Sequence, residues 1–253
     1  MTLRLALALL LLAAPPARAE EVVLGLSQNS ISIDTTFSGS EILLFGAIKR
    51  EVAIPPDELG VVVTIAGPSQ PLDVRRKERR FGIWVNVDTV EVDSAPSFYA
   101  VATSGPWNEV LSQVEDLRHK ISIPRAIRSV GAPSSVQNAQ DFTDAIIRIR
   151  SRTGAYQTNE GAVDLSEQTL FRTSVDLPSN LTEGAYVTRI FLTRRAAVVS
   201  KYETVIDVRK VGMERWLFEL SRDNAMIYGL MSLTIAIGAG WGASAAFRLL
   251  RRG

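Results

Sequence analysis

The densest group of ionisable side chains is VRRKERR, residues 74–80, with Arg75, Arg76, Lys77, Arg79 and Arg80 around a single Glu78. Cations at this density can hold anionic lipid headgroups or an acidic partner. On a strand, residues 75, 77 and 79 face one way and 76, 78 and 80 the other. Both faces are then charged, as on a solvated edge strand guarded against edge-to-edge pairing, so the patch reads either as a binding surface or as a protected edge. Directly after it, Phe81, Ile83 and Val85 alternate with Gly82, Trp84 and Asn86. That alternation sets Trp84 on the face opposite Phe81, where it is expected in the core.

Other groups able to do chemistry are scattered. His119 sits between Arg118 and Lys120, near Glu115 and Asp116. A nucleophile–His–acid system needs a serine brought to it, and no G-x-S-x-G elbow precedes a helix; His119 is expected on the surface. Carboxylates occur at Asp57, Glu58, Asp88, Glu91, Asp93, Asp141 and Asp144. Glu91 and Asp93 share a strand face, which is thin support for metal or acid–base work. The chain has no cysteine and one histidine, which removes thiolate catalysis, zinc–thiolate sites, disulfides and polyhistidine metal sites within one chain. There is no phosphate-binding loop and no dinucleotide fingerprint. Asn180-Leu181-Thr182 is a glycosylation sequon only in form. No enzyme activity, cofactor or metal is expected. With 28 basic against 27 acidic residues and a net charge of +1, nothing points to nucleic acid.

The elements that carry these residues are organised around an anchor. Ala225–Phe247, AMIYGLMSLTIAIGAGWGASAAF, is uncharged and as a helix would span roughly 34 Å, enough to cross a hydrocarbon core. Within it Ala236, Gly240 and Ser244 recur every four residues, as do Gly238, Gly242 and Ala246. Small residues at this spacing let two helix backbones approach closely in lipid. The ridge is therefore expected to pack against a second copy or a polytopic membrane protein. Arg248, Arg251 and Arg252 follow in residues 248–253, against mixed signs before the anchor, and place that tail in the cytoplasm. Residues 1–19 have a secretory layout: Arg4, an apolar run from Leu5 to Ala14, Pro15-Pro16 and the A-x-A site Ala17-Arg18-Ala19. Cleavage there is expected, with retention as a first anchor the rival. Both signals place the body, 20–211, on the outer face of an inner membrane, in the periplasm of a Gram-negative source.

Between these ends the pattern is that of short strands. VVLGL, ISIDTTF, EILLFGAI, GVVVTIAG, FGIWVNVDTVEV and SFYAVAT are rich in β-branched and aromatic residues, with Gly and Pro breaks between them. Strands resume at TLFRTSVDL, AYVTRIFLTRR and AVVSKYETVIDVRKV, with Arg194–Ala197 a tight reversal. The fold class expected is mainly β, an immunoglobulin-like antiparallel sandwich, with two small β domains as the alternative. A helical insertion at about 107–152 interrupts it, one helix over EVLSQVEDLRHKI and one over AQDFTDAIIRIRSR. In the latter, acids come early and arginines late, suiting the helix dipole. In the juxtamembrane stretch 212–224, Met213, Trp216, Leu217 and Leu220 form one helical stripe. It can lie in the headgroup zone, run into the anchor, or pack under the sandwich.

The phrases ILLFGAI, VVTIAGP, VRRKERRFGIWVN, PSFYAVATSGP, LFRTSVDLP and YGLMSLTIAIGAGWGASAAFR together resemble a transmembrane protein family of alphaproteobacteria whose function is uncharacterised. The likeness covers nearly all of the chain after residue 19. It implies a bacterial envelope protein with one C-terminal anchor, and it supplies no catalytic residues. A non-enzymatic interaction or assembly module is the function expected. An association with permease-type neighbours, including small-anion exporters, implies the alternative: an accessory subunit of an inner-membrane transporter.

Overall fold

Val61–Ile65 and Tyr99–Thr103 are apolar with almost no alternation, a pattern that suits strands covered on both faces. In the computed structural model both runs are buried throughout. The structure describes residues 20–28, 30–34, 37–50, 54–129, 139–211, 217 and 220–250, excepting the side chains of Ala139 and of 245–250. The expected signal segment, 1–19, lies outside these residues.

The described strands are β1 (Glu21–Leu26), β2 (Ser30–Ile33), β3 (Ser40–Lys49), β4 (Leu59–Ala66), β5 (Ser69–Arg80) and β6 (Ile83–Pro96). They continue with β7 (Tyr99–Thr103), β8 (Tyr156–Asn159), β9 (Asp164–Ser166), β10 (Leu170–Leu177), β11 (Gly184–Arg194) and β12 (Ala197–Lys210). A six-stranded sheet has the order β2-β12-β11-β4-β7-β8, a four-stranded one β1-β3-β10-β9, and β5 pairs with β6 alone. The fold is mainly β, as expected.

One face of the larger sheet, with Val62, Tyr99, Val101 and Phe191, is covered by Leu111, Ile121, Ile123, Ile127 and Ile146. These come from α1 (Trp107–Val110), α2 (Gln113–His119), α3 (Ile123–Ala126), α4 (Ala139–Arg152) and the turns joining them. The opposite face, with Val61, Val63, Ile65, Ile190 and Leu192, is equally buried, and Ile42, Leu44, Phe171 and Val175 of the smaller sheet form a matching inward row. Close approach is needed inside that smaller sheet: a Cβ on Gly46 would sit 2.6 Å from Phe171 Cζ and 2.9 Å from the Val23 carbonyl oxygen.

Pairing departs from the wholly antiparallel expectation in one place: β7 and β8 run parallel. A parallel pair needs a crossover connection, and α1–α4 supply it. The single helix expected over EVLSQVEDLRHKI is also broken. Leu111 is extended and buried, and Ser112 caps a new helix by accepting from the Glu115 N–H at 3.4 Å. Ser112 and Glu115 have the spacing of a capping box. Lys120, left-handed at φ 52°, then ends α2.

The described residues divide into two compact units: those up to Ile31 with Ser38–Val208, and Ser32–Phe37 with those from Arg209 on. In the second, the Val211 N–H donates to Ile33 O at 2.7 Å, and α5 runs from Ala225 to Leu250. Asn224 N–H donates to Leu220 O and Tyr228 N–H to Asn224 O, both at 3.1 Å. Helical bonding from Leu220 thus runs into α5, while most of 212–219 lies outside the described residues. Met213 and Trp216 of the expected stripe lie outside the described residues.

Candidate functional site

The five cations of VRRKERR lie on β5, and all are exposed. At the base of the hairpin Leu72 and Val74 pack with Val92 on the core; cross-strand pairs are Leu72–Val92, Val74–Val90, Arg76–Asp88, Lys77–Asn86, Arg79–Trp84 and Arg80–Ile83. Since side chains alternate, Arg75, Lys77 and Arg79 share a face with Trp84, whereas Arg76, Glu78 and Arg80 share the other. The second set is internally compensated: Arg76 pairs with Asp88, and Glu78 lies 3.8 Å from Arg76 and 3.5 Å from Arg80. For Arg75, Lys77 and Arg79 no carboxylate stands within 4 Å among the described residues. Across a groove of about 590 Å³, Asp141 and Asp144 of α4 face Arg75, Arg76 and Lys77, with Arg148 and Ile149 beside them. Ile149 is exposed there, while Phe142 and Ile146 of the same helix are buried.

The expected core position of Trp84 is corrected. Phe81 and Gly82 are not the start of a strand but the two central residues of the turn, at φ 53° and 87°. That lifts the following residues beyond the body, leaving Phe81 106 %, Ile83 64 % and Trp84 69 % exposed. Two-residue hairpin turns with both φ positive favour Asn-Gly or Asp-Gly; Phe-Gly carries no such signal, and the turn was invisible for that reason.

Ala236, Gly238, Gly240, Gly242 and Ser244 all fall on α5 and are exposed. A Cβ at Gly238, Gly240 or Gly242 would meet nothing within 4 Å. Residues 225–244 form a segment long and apolar enough to cross a membrane, with none of it buried in the structure. The Thr234 hydroxyl donates to Leu230 O at 2.8 Å, so its polarity is satisfied within the helix. Arg248 lies in the last turn of this helix, and Arg251 and Arg252 lie outside the described residues.

The remaining polar residues are occupied with structure. His119 is not a free surface side chain: Nε2 is 3.3 Å from Glu115 Oε2, and its ring lies 5.5 Å from that of Phe191. Arg189 donates to the His119 and Lys120 carbonyls and to the Tyr99 hydroxyl. That hydroxyl donates in turn to Ile121 O at 2.8 Å. Burial pushes the Tyr99 and Tyr156 pKa values up, and the neighbouring Arg189 and Arg150 only partly oppose this. Asp57 pairs with Arg195 at 2.8 Å, while Glu91 and Asp93 are exposed on the hairpin's outer face. No group of three or more acidic or histidine side chains able to hold a metal occurs among the described residues.

Sequence reasoning missed Glu20. Its carboxylate accepts from Arg50 Nε at 2.6 Å and from Arg194 at 2.7 and 3.2 Å. The three side chains are only 11, 7 and 9 % exposed. Burial alone would raise the Glu20 pKa, yet the hydrogen bonds and charges of Arg194 and Arg50 outweigh it and hold the carboxyl below its usual range. Glu20 and Arg194 are too far apart in the chain for any local signal to join them.

A β-rich body followed by one exposed apolar helix is the architecture of a protein attached to a membrane by a single span. The chain belongs to the family described as "Putative transmembrane protein (Alph_Pro_TM)", whose model matches residues 21–249. No curated protein matches. Among solved structures, the crystal structure of BslA, a bacterial hydrophobin, matches at 14 % identity and a TM-score of 0.25, over 78 % of this chain and 99 % of that one. A likeness so slight has no bearing on fold or role.

Proposed function

We propose that this chain is a single-pass protein of the bacterial inner membrane that holds a β-rich body in the periplasm as a non-enzymatic interaction or assembly module. The observation that carries the reading is α5: uncharged to Phe247, with no part of 225–244 buried. Such a surface needs a cover that lipid and other membrane helices supply. The arginines at 248, 251 and 252 support a cytoplasmic tail, and the A-x-A segment supports export of the body. Assembly runs through the small-residue ridge of Ala236, Gly238, Gly240, Gly242 and Ser244. That ridge favours a second reading equally well, in which its neighbour is a polytopic transporter and the chain is the accessory subunit. Affinity purification from mild detergent separates the two. A stoichiometric polytopic partner supports the accessory subunit, self-association alone supports the module, and a monomer without partners refutes assembly in either form.

A further inference from the structure

We propose that the β5–β6 hairpin is a second membrane contact, seating its tip in a bilayer surface rich in anionic lipid. Phe81, Ile83 and Trp84 are three large apolar side chains within four residues, all exposed at the end of one hairpin. Phe81 is held at φ 53°, a region in which a bulky residue is a strained choice and Asn the easy one. A strained aromatic kept wholly in solvent points to a use for its ring outside the fold. Arg79 lies two residues back from Phe81 and Lys77 four back, about 7 and 13 Å at strand rise. With the aromatics at the headgroup–acyl boundary, these cations come to phosphate depth. Neither has an acid within 4 Å among the described residues, and Arg79 lies clear of the groove that Asp141 and Asp144 line.

The shape favours lipid over a folded acidic partner. The tip is convex, and a Cβ at Gly82 would meet nothing within 4 Å; a deformable surface accepts such a point without a matching pocket. Because the body is joined to a membrane-spanning helix, even a weak surface contact is populated at the high effective concentration of a tether. The inference rests on the anchor only for that tether.

The test uses the full chain in lipid nanodiscs of phosphatidylcholine alone or mixed with phosphatidylglycerol. Elution with the disc reports the anchor separately. The absence of cysteine lets Ile83→Cys carry one environment-sensitive dye, with Asn180→Cys as the reference site. In anionic discs the Ile83 dye should shift blue and be shielded from an aqueous quencher, and in neutral discs much less. Lys77→Gln with Arg79→Gln should lower the inserted-to-free ratio about twenty-fivefold, from about fivefold per cation at an anionic surface. Phe81→Asn should weaken insertion while raising the melting temperature; a Phe81 that serves only the fold would lower that temperature. Equal exposure of the dye in both discs overturns the proposal, as does shielding that survives all three substitutions. Shielding that requires a co-purified acidic protein overturns it too, since the occupant would then be that protein.

Discussion

Replacing Glu20 by Gln keeps the side chain's shape and removes the charge that Arg50 and Arg194 share. Breaking a buried ion pair by removing one partner costs about 3–5 kcal/mol, because the remaining charge is left without compensation. Here both guanidiniums keep other acceptors: Arg50 reaches Gln168 O and Thr169 Oγ1, and Arg194 reaches Asp57 O and Gln168 Oε1. Those contacts bring the cost below that range, to about 2–3 kcal/mol. At about 2–4 °C per kcal/mol for a body of this size, the melting temperature should fall by roughly 5–10 °C at pH 7. Near-ultraviolet circular dichroism of the full chain in mild detergent reads it. The pH dependence has a fixed sign. With the Glu20 pKa held below the ordinary glutamate value of 4.5 in the folded state, its contribution is complete above that value and is lost as pH falls through the folded pKa. Wild type and Glu20→Gln should therefore converge in acid. A gap of less than about 2 °C at pH 7, on the scale above, or one that widens in acid, would refute the argument.

Topology is tested by fusion: alkaline phosphatase placed after Val211 should be active and after Gly253 inactive, and the reverse would end the periplasmic reading. Gly238→Ile with Gly242→Ile should cut helix association by about tenfold, 1–2 kcal/mol in lipid, in an inner-membrane two-hybrid assay or by co-purification. A conservative change at Leu233 should do little, and unchanged association in the glycine variant would reduce α5 to a tether. Gly46→Ala forces a Cβ to within 2.6 Å of the Phe171 ring and 2.9 Å of backbone oxygen. It should destabilise the body by about 1–3 kcal/mol, visible as a lowered thermal midpoint; an unchanged midpoint would show that the β1–β3 backbone yields freely.

Much of the strand layout could be read from composition because each strand carries its own pattern. The doubly buried β4 and β7 are legible in VVVTI and YAVAT, but the layer of helices that covers one face is not, because its residues lie elsewhere in the chain. Short polar strands were illegible: β8 (YQTN) and β9 (DLS) are strands only because a sheet edge receives them. The parallel β7–β8 pair was hidden for the same reason, since pairing direction is a property of the connection rather than of either strand. Of the candidate site, the cations and the small-residue ridge were visible as types and spacings. The hairpin tip was not, because Trp84 and Ile83 have the composition of core and only the Phe81–Gly82 turn carries them outward. The Glu20 cluster joins residues up to 174 apart in sequence, beyond the reach of any window.

β11 lies inside the six-stranded sheet, between β12 and β4, yet β11 and β12 are the last of the described strands along the chain. A ribosome therefore makes the sheet's interior after its far edge. Until Gly184–Lys210 arrive, Val61, Val63, Ile65, Ala100 and Ala102 are without the strands that complete their sheet, and they remain open to aggregation or chaperones. The anchor helix begins at Ala225, so closure of the body and entry of the span into the bilayer fall within a few seconds of one another at ordinary synthesis rates, about 5–20 residues per second. A chain broken off before Gly184 has neither a complete sheet nor α5. Such a fragment exposes those apolar residues without the strands that cover them and also lacks the apolar segment 225–244, so both deficits make it a substrate for proteolysis.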